Sequence, residues 1–270
     1  MDVDPDLHMV MRRVARARGF SCEVYKESCL RRRINVRMRA RGAHTLAAYA
    51  EILDRDGEEF DRLLQALTVN VTKFYRNPDT WLALAEDVVP DLVKRRYGAV
   101  RCWSAGCATG EEPYTLAMLL LEEARRKGVD SMDPRIDATD VDERCLTEAV
   151  AGRYRARSLD EAPAPLLARY LCGTDGTEPR EVVPEVKAIV KFRSQNLTQD
   201  PPPRPPYDLV LCRNVVIYFD RPTQEALFQT IADALVPGGY LVLGKVETLF
   251  GDAAKRLRLV NVRERIYQKP

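Results

Sequence analysis

The residues best suited to chemistry gather around one stretch, Val100-Arg-Cys-Trp-Ser-Ala-Gly-Cys-Ala-Thr-Gly-Glu-Glu112. A short apolar run ends in small residues and two glycines, Gly106 and Gly110. It then passes through Pro113 into a helix-forming segment, Tyr114-Thr-Leu-Ala-Met-Leu-Leu-Leu. Strand, glycine turn and helix in that order make the first half of a nucleotide-binding βαβ unit. A bound phosphate would want bare amide N–H groups and no negative charge at the start of that helix, yet Glu111 and Glu112 stand there. No Lys-Ser or Lys-Thr follows the second glycine, which argues against a triphosphate cradle. The two acids suit a ligand that carries positive charge. S-adenosylmethionine, with a nucleoside, a sulfonium and an ammonium but no phosphate, meets that requirement. The other reading is a plain glycine turn followed by exposed glutamates that stabilise the helix dipole, and on this stretch alone both readings stand.

Three further groups of polar residues sit where the same kind of fold would use them. Arg135-Ile-Asp-Ala-Thr-Asp140 reads as a second strand ending in an acid, the place from which a carboxylate accepts both ribose hydroxyls. Asp142, two residues on, is expected to start the helix Glu143 to Val150. Leu209 to Cys212 is a fully apolar strand whose carboxyl end releases Arg213, Asn214 and then Tyr218, and ligands of open α/β sheets bind at such ends. Upstream, Leu67 to Trp81 holds Asn70, Thr72 and Arg76, an amide, a hydroxyl and a guanidinium within seven residues. Taken alone, that stretch reads as a linker with an Asn-Pro turn.

Residues 1 to about 90 carry helical periodicity. Leu30, Ile34 and Met38 follow at i+4 steps, with Arg32 and Arg39 on the opposite face. Further helices begin near Thr45, near Glu58 and at Pro78, which suggests a helical bundle. An α/β domain starts near Gly98, with strand one at Val100 to Ser104 and its helix from about Glu112 to Lys127. Residues 151 to about 190 read as a small inserted helix and hairpin, with Ala188-Ile-Val-Lys-Phe192 extended. Strand three is Ile189 to Arg193. Helix Thr223 to Leu235 ends at Pro237-Gly-Gly, strand five begins at Tyr240, and Leu257 to Val262 pairs with Arg265 to Gln268.

The 270 residues suffice for one large α/β domain and a smaller one. Charged residues make up 30% and hydrophobic ones 46%, and no apolar run approaches a membrane span. The N-terminus has none of the features of a signal peptide, so a cytoplasmic protein is expected. Seven cysteines, at 22, 29, 102, 107, 145, 172 and 212, form no CxxC pair and read as reduced, mostly buried apolar residues. Only His8 and His44 are present, which argues against a histidine-based metal site or catalytic centre. Residues 12–41 hold eleven Lys or Arg against Glu23 and Glu27, a net of about +9. Such a run is either a solvated face or a footprint for an acidic partner. Few aromatics accompany it to stack on bases, so an acidic protein surface is preferred over nucleic acid.

Together, Asn70-Val-Thr-Lys-Phe-Tyr-Arg76, Trp103 to Tyr114, Ala138-Thr-Asp-Val-Asp142, Cys212-Arg-Asn-Val-Val-Ile-Tyr-Phe-Asp220 and Pro237-Gly-Gly resemble the CheR family of chemotaxis receptor glutamate methyltransferases. The resemblance implies a class I S-adenosylmethionine-dependent methyltransferase: an α/β, Rossmann-like, mostly parallel seven-stranded sheet with a terminal antiparallel hairpin. An N-terminal helical domain (1–90) precedes the methyltransferase domain (91–270), which carries an inserted hairpin at about 155–190. It implies cofactor contacts at Asn70, Thr72, Arg76, Glu111, Asp140, Asn196, Leu197, Cys212, Arg213 and Asn214. Arg76 and Tyr218 fall beside the transferred methyl, and no metal is implied. Arg32 and Arg39 would face the helical cytoplasmic region of a chemoreceptor, whose glutamates become methyl esters while S-adenosylhomocysteine is released. A glutamate carboxylate is already a nucleophile near neutral pH, so the absence of a catalytic histidine is expected. Neither nucleic acid binding nor membrane insertion is implied, and a monomer is the default. Two departures stand out: Gly106 and Cys107 in the turn, and Lys245-Val-Glu247 after strand five. The short turn Gly173 to Glu178 argues against docking of a receptor tether on the hairpin. The alternatives are a methyltransferase with a non-receptor substrate in a related pathway, and a non-catalytic cofactor-binding scaffold.

Overall fold

The computed structural model describes residues 5–18, 24–68, 70–96, 99–129, 132–173 and 179–270. Cys22, Glu23, Gly98, the turn residues 174–178 and the side chains of Arg16 and Arg18 lie outside the described residues. The chain divides into two compact units, Met1–Asn70 with Tyr218–Thr223, and Val71–Ile217 with Gln224–Pro270.

The first unit is built from α1 (Pro5–Arg18), α2 (Glu27–Ala40), α3 (Leu46–Arg55) and α4 (Gly57–Leu67). Leu30, Ile34 and Met38 bury the inner face of α2 against a core that includes Leu7, Val10, Tyr49, Leu53 and Leu63. Thr45 caps α3 by accepting the Ala48 amide at 3.1 Å, and Asp56 caps α4 by accepting the Glu59 amide at 3.0 Å. Glu59 is fully buried. It takes a bidentate pair from Arg37 (3.0 and 2.5 Å) and the Tyr49 hydroxyl (2.7 Å). Burial pushes its carboxyl up, but the Arg37 and Tyr49 hydrogen bonds outweigh burial and hold it below its ordinary value. The basic run of α2 is therefore partly spent inside the unit: Arg37 on Glu59, Arg41 on Asp56 at 2.7 Å, Arg31 on Glu27 at 2.9 Å. Arg32 and Arg39 are exposed, and neither side chain makes a hydrogen bond or ion pair among the described residues.

In the second unit, α5 (Pro78–Ala83), a π-helical turn (Leu84–Val88) and α6 (Val89–Arg96) lead into β1 (Arg101–Ala105), α7 (Glu111–Lys127), β2 (Arg135–Asp140) and α8 (Glu143–Ala151). Then follow β3 (Arg153–Tyr154), α9 (Ala164–Tyr170), β4 (Leu171–Cys172), β5 (Arg180–Val182), α10 (Pro184–Ile189), β6 (Val190–Ser194) and β7 (Tyr207–Cys212). The chain closes with α11 (Arg221–Ala234), β8 (Leu235–Leu243), α12 (Gly251–Arg256), β9 (Arg258–Asn261) and β10 (Ile266–Gln268), the first three residues of α11 belonging to the other unit. Seven strands form one sheet in the order β6-β2-β1-β7-β8-β10-β9. The first five are parallel, and β10 runs antiparallel to both neighbours. This is the fold expected of a class I methyltransferase. The strand order reverses between β1 and β7, the crevice where open α/β sheets take ligands.

Several local expectations are corrected. The inserted hairpin is a three-stranded antiparallel sheet, because β3 joins β5 and β4. Ala188 and Ile189 are helical, since Pro184 at the first turn starts α10 with its ring-fixed φ, and the strand begins at Val190. Pro237-Gly-Gly lies within β8 as an irregularity in its pairing with β7; Gly238 (φ 77°) and Gly239 exchange hydrogen bonds with Lys269. The division between units falls at Asn70, ahead of the expected boundary near residue 90, because Trp81, Leu84, Val88, Val89 and Leu92 are buried in the second unit's core. Of the cysteines, 102, 107, 145 and 212 are buried, Cys29 is partly exposed and Cys172 is exposed. Among the described residues no helix is long and apolar enough to cross a membrane.

Candidate active site

At the carboxyl end of β1 the chain turns through three left-handed residues, Gly106 (φ 80°), Ala108 (47°) and Gly110 (94°). A Cβ at Gly110 would lie 2.9 Å from both the Ala149 Cβ and the Tyr154 hydroxyl, so glycine is required there. The turn is fastened to β2. The amides of Gly106 and Cys107 donate to the Thr139 carbonyl at 2.8 and 2.9 Å, and that of Ala108 donates to Asp140 Oδ2 at 2.8 Å. Asp140 Oδ1 accepts the Asp142 amide at 3.0 Å. Backbone amides thus fix both oxygens, and a carboxylate has acceptor sites enough to take a vicinal diol as well. Burial pushes this carboxyl up and the amide bonds partly hold it down. Asp142 itself caps α8 through the Arg144 and Cys145 amides.

The reading of Glu111 and Glu112 as exposed dipole partners is overturned, for Glu111 is 3% exposed and the Glu112 side chain 12%. They are also unlike each other. Glu112 is consumed inside the protein, accepting Ser104 Oγ at 2.8 Å and pairing with Arg213 at 3.3 Å. Glu111 accepts the Thr109 hydroxyl at 2.7 Å and that of Ser158, and has no cation against it among the described residues. Burial pushes both carboxyls up. A buried acid without a counter-ion fits a cationic ligand.

The end of β7 supplies a brace. Arg213 is 5% exposed, and its guanidinium donates to the Arg76 carbonyl (2.8 Å) and Asn77 Oδ1 (3.1 Å) as well as to Glu112, while lying 5.3 Å over the Trp81 ring. Both terminal nitrogens of its guanidinium thus serve protein acceptors, while its buried Nε has no partner among the described residues. Cys212 is fully buried. Asn214 adopts φ 61° and its buried Oδ1 has no partner among the described residues. An orphan acceptor in this crevice is what an ammonium-bearing ligand would satisfy.

Arg76 sits in a loop pinned from many sides. Its carbonyl accepts the Trp81 indole (3.1 Å) in addition to Arg213. The Phe74 amide donates to the Ser158 carbonyl (2.9 Å), the Tyr75 amide to Thr115 (3.4 Å) and the Asn77 amide to Glu161 (3.2 Å). Tyr75 and Asn77 are left-handed, and such strained residues persist only where their surroundings over-determine them. The Arg76 guanidinium donates from Nη1 to the Val71 carbonyl at 2.7 Å. Thr72 is half-buried in the same loop. After β6, the Gln195 amide donates to the Asp140 carbonyl (3.0 Å), which brings Asn196 and Leu197 beside that acid. The Asn196 Oδ1 is spent on the Thr198 amide and hydroxyl.

Asn70 and Tyr218 belong to the first unit. Asn70 Nδ2 donates to Thr68 Oγ1 at 3.4 Å. Tyr218 is held at its carbonyl by the Lys26 amide (2.9 Å), and its ring lies 4.5 Å beneath the Arg33 guanidinium.

Sequence reasoning missed three residues. Glu247 is 3% exposed and accepts the amides of Gly244 (2.6 Å), Asn214 (2.9 Å) and Ile217 (3.3 Å), shaping the loop after β7. Trp81 and Glu161 anchor the Arg76 loop. The Lys245-Val-Glu247 motif was a signal for the first of these; for the other two no local pattern stands out.

Comparison with known proteins supplies the remaining context. Residues 5–68 match the family model of the CheR methyltransferase all-alpha domain, and residues 70–266 that of the CheR methyltransferase SAM binding domain. The chain is 30% identical to the chemotaxis protein methyltransferase of Listeria monocytogenes, across 96% of each. It is 35% identical to chemotaxis protein methyltransferase 2 of Pseudomonas aeruginosa, covering 90% of this chain and 86% of that one. With the chemotaxis protein methyltransferase of Salmonella typhimurium it shares 34% identity, over 83% and 76% respectively.

Proposed function

The chain belongs to the CheR methyltransferase family, and from that premise we propose that it esterifies glutamate side chains on the helical cytoplasmic region of chemoreceptors, in the cytoplasm and as a monomer. S-adenosylmethionine, when bound, supplies a methyl group made electrophilic by its sulfonium. The observation that carries the reading is the buried, counter-ion-free carboxylate of Glu111 facing the same glycine turn that Asp140 fastens.

In this reading Asp140 accepts the ribose hydroxyls and Glu111 and the Asn214 Oδ1 take the ammonium. Thr72, Asn196 and Leu197 line the nucleoside, and Asn70 is a further cofactor contact. Arg76 orients the incoming glutamate carboxylate by charge-assisted hydrogen bonds. Its backbone is fixed by Arg213 and Trp81, so the guanidinium is aimed before the substrate arrives. Tyr218 packs beside the reacting atoms and helps exclude water. The substrate carboxylate is ionised near neutral pH, so no residue has to remove a proton. Arg32 and Arg39 hold the acidic receptor helices.

The test is to incubate the purified protein with S-adenosylmethionine labelled in its methyl group and membranes containing chemoreceptors. Label on the receptor band that mild base releases as methanol is the expected result. Cofactor binding in a calorimeter with no such label would move the substrate elsewhere.

A further inference from the structure

Arg33 stands out on α2 because it faces inward: it is 8% exposed, where Arg32 beside it is open to solvent. A buried arginine needs partners for its charge. One edge of the guanidinium donates to the Leu67 carbonyl at the end of α4, and its flat face covers the Tyr218 ring with 4.5 Å from Cζ to the centroid. The chain just ahead of α2 grips the same tyrosine by its backbone. The Lys26 amide donates to the Tyr218 carbonyl at 2.9 Å and the Asp220 amide to the Val24 carbonyl at 2.9 Å. Tyr25 and Phe219 form the antiparallel bridge between these contacts, with their rings 5.2 Å apart and edge to face. The ring of Tyr218 is thus set by the helix that carries Arg32 and Arg39, and its main chain by the residues that lead into that helix.

We infer that Arg33 is a positioning residue for methyl transfer, which holds the Tyr218 ring from the helix that docks the receptor and so makes the setting of that ring depend on α2. This rests on the role proposed for Tyr218. The guanidinium favours one orientation of the ring through its attraction to the aromatic face, and the Leu67 carbonyl keeps the guanidinium from following the ring if it swings.

A double-substitution cycle with Arg33→Met and Tyr218→Leu tests this, reading kcat, KM for receptor, cofactor affinity and melting temperature. Arg33→Met alone is expected to lower kcat by about 5- to 30-fold, with KM for receptor and cofactor affinity within twofold. In the Tyr218→Leu background the same substitution should change kcat by less than twofold, because the ring it acts on is gone. Arg33→Lys, which keeps a cation but not the flat face, should regain part of the activity, and it replaces Arg33→Met in the cycle should the latter not fold. Equal losses in both backgrounds would overturn the inference and leave Arg33 a support of the fold. Full kcat in Tyr218→Leu would instead remove the role of Tyr218 on which it stands.

Discussion

Glu247 and Asn214 lie 33 positions apart, and the carboxylate of the first accepts the amide of the second at 2.9 Å, fixing a left-handed asparagine at the mouth of the crevice. The same carboxylate takes two further amides. Glu247→Ala takes the acceptor from three amides, of which the Gly244 donor is buried, and a buried donor left unsatisfied costs about 1–3 kcal/mol. It should therefore lower the melting temperature and weaken cofactor binding at least tenfold. Glu247→Gln, which keeps one acceptor oxygen, should lose less of both. Thermal melts and calorimetry with S-adenosylmethionine read the two effects; unchanged affinity in the alanine variant would detach Glu247 from the site.

Arg213 serves three acceptors at once. Arg213→Met strands the Glu112 carboxylate in the interior, and an uncompensated buried charge costs about 3–5 kcal/mol. Adding Glu112→Gln removes that charge and should recover a substantial part of the stability, but not kcat, because the Arg76 carbonyl keeps only the Trp81 indole of its two donors. Melting temperature and turnover measured on the two variants separate the effects.

Glu111 and Asp140 both have their carboxyls pushed up by burial, from ordinary values of 4.5 and 3.8. A group whose folded-state value is raised favours folding fully below its unfolded value, and that contribution is lost as the pH rises through the folded value. The ligand-free protein should therefore lose stability as the pH climbs from the ordinary carboxylate range through the raised one. Cofactor affinity should move the opposite way: the ammonium pairs with ionised Glu111 and the ribose hydroxyls donate to ionised Asp140, so affinity falls as the pH drops through the raised values. Glu111→Gln should weaken binding at neutral pH and flatten this dependence. An equally steep pH profile in that variant would reject Glu111 as the group that meets the positive charge.

Arg32 and Arg39 are exposed on α2, one heptad apart. Reversing both, Arg32→Glu with Arg39→Glu, should raise KM for receptor at least tenfold at low ionic strength, since like charges across an interface cost several kcal/mol. The gap between variant and parent should narrow as salt shortens the screening length to about 8 Å. Initial rates at two salt concentrations decide it; a KM indifferent to both charge and salt would place the receptor on another surface.

What was legible in the sequence was local. Strand, glycine turn, helix and acid-ended strand follow one another along Val100 to Asp140, and that order alone brought Glu111 and Asp140 together. The caps at Thr45 and Asp142, and the inner face of α2, were legible for the same reason: period and neighbour decide them. The rest depends on distance along the chain. Glu111 and Glu112 are adjacent and chemically alike, but one helical step of about 100° sends the second towards Ser104 and Arg213. That Arg213 braces Arg76 is a contact between residues 137 positions apart, which no window shows. Arg33 sits in a run of three arginines, and only tertiary packing says which one turns inward. At Pro237-Gly-Gly a turn signature was overridden by pairing with the C-terminal residues.

The first unit includes Tyr218–Thr223 although its N-terminal segment ends at Asn70. During synthesis the helices emerge first, but the segment that bridges Tyr25 is still some 150 residues away. At about 5–20 residues per second the ribosome needs roughly 8–30 s to deliver it. Until then the aromatic face of Tyr25 and the guanidinium of Arg33 lack the partners that cover them in the finished protein. The N-terminal helices are thus the first part of this chain to be made and among the last to be completed.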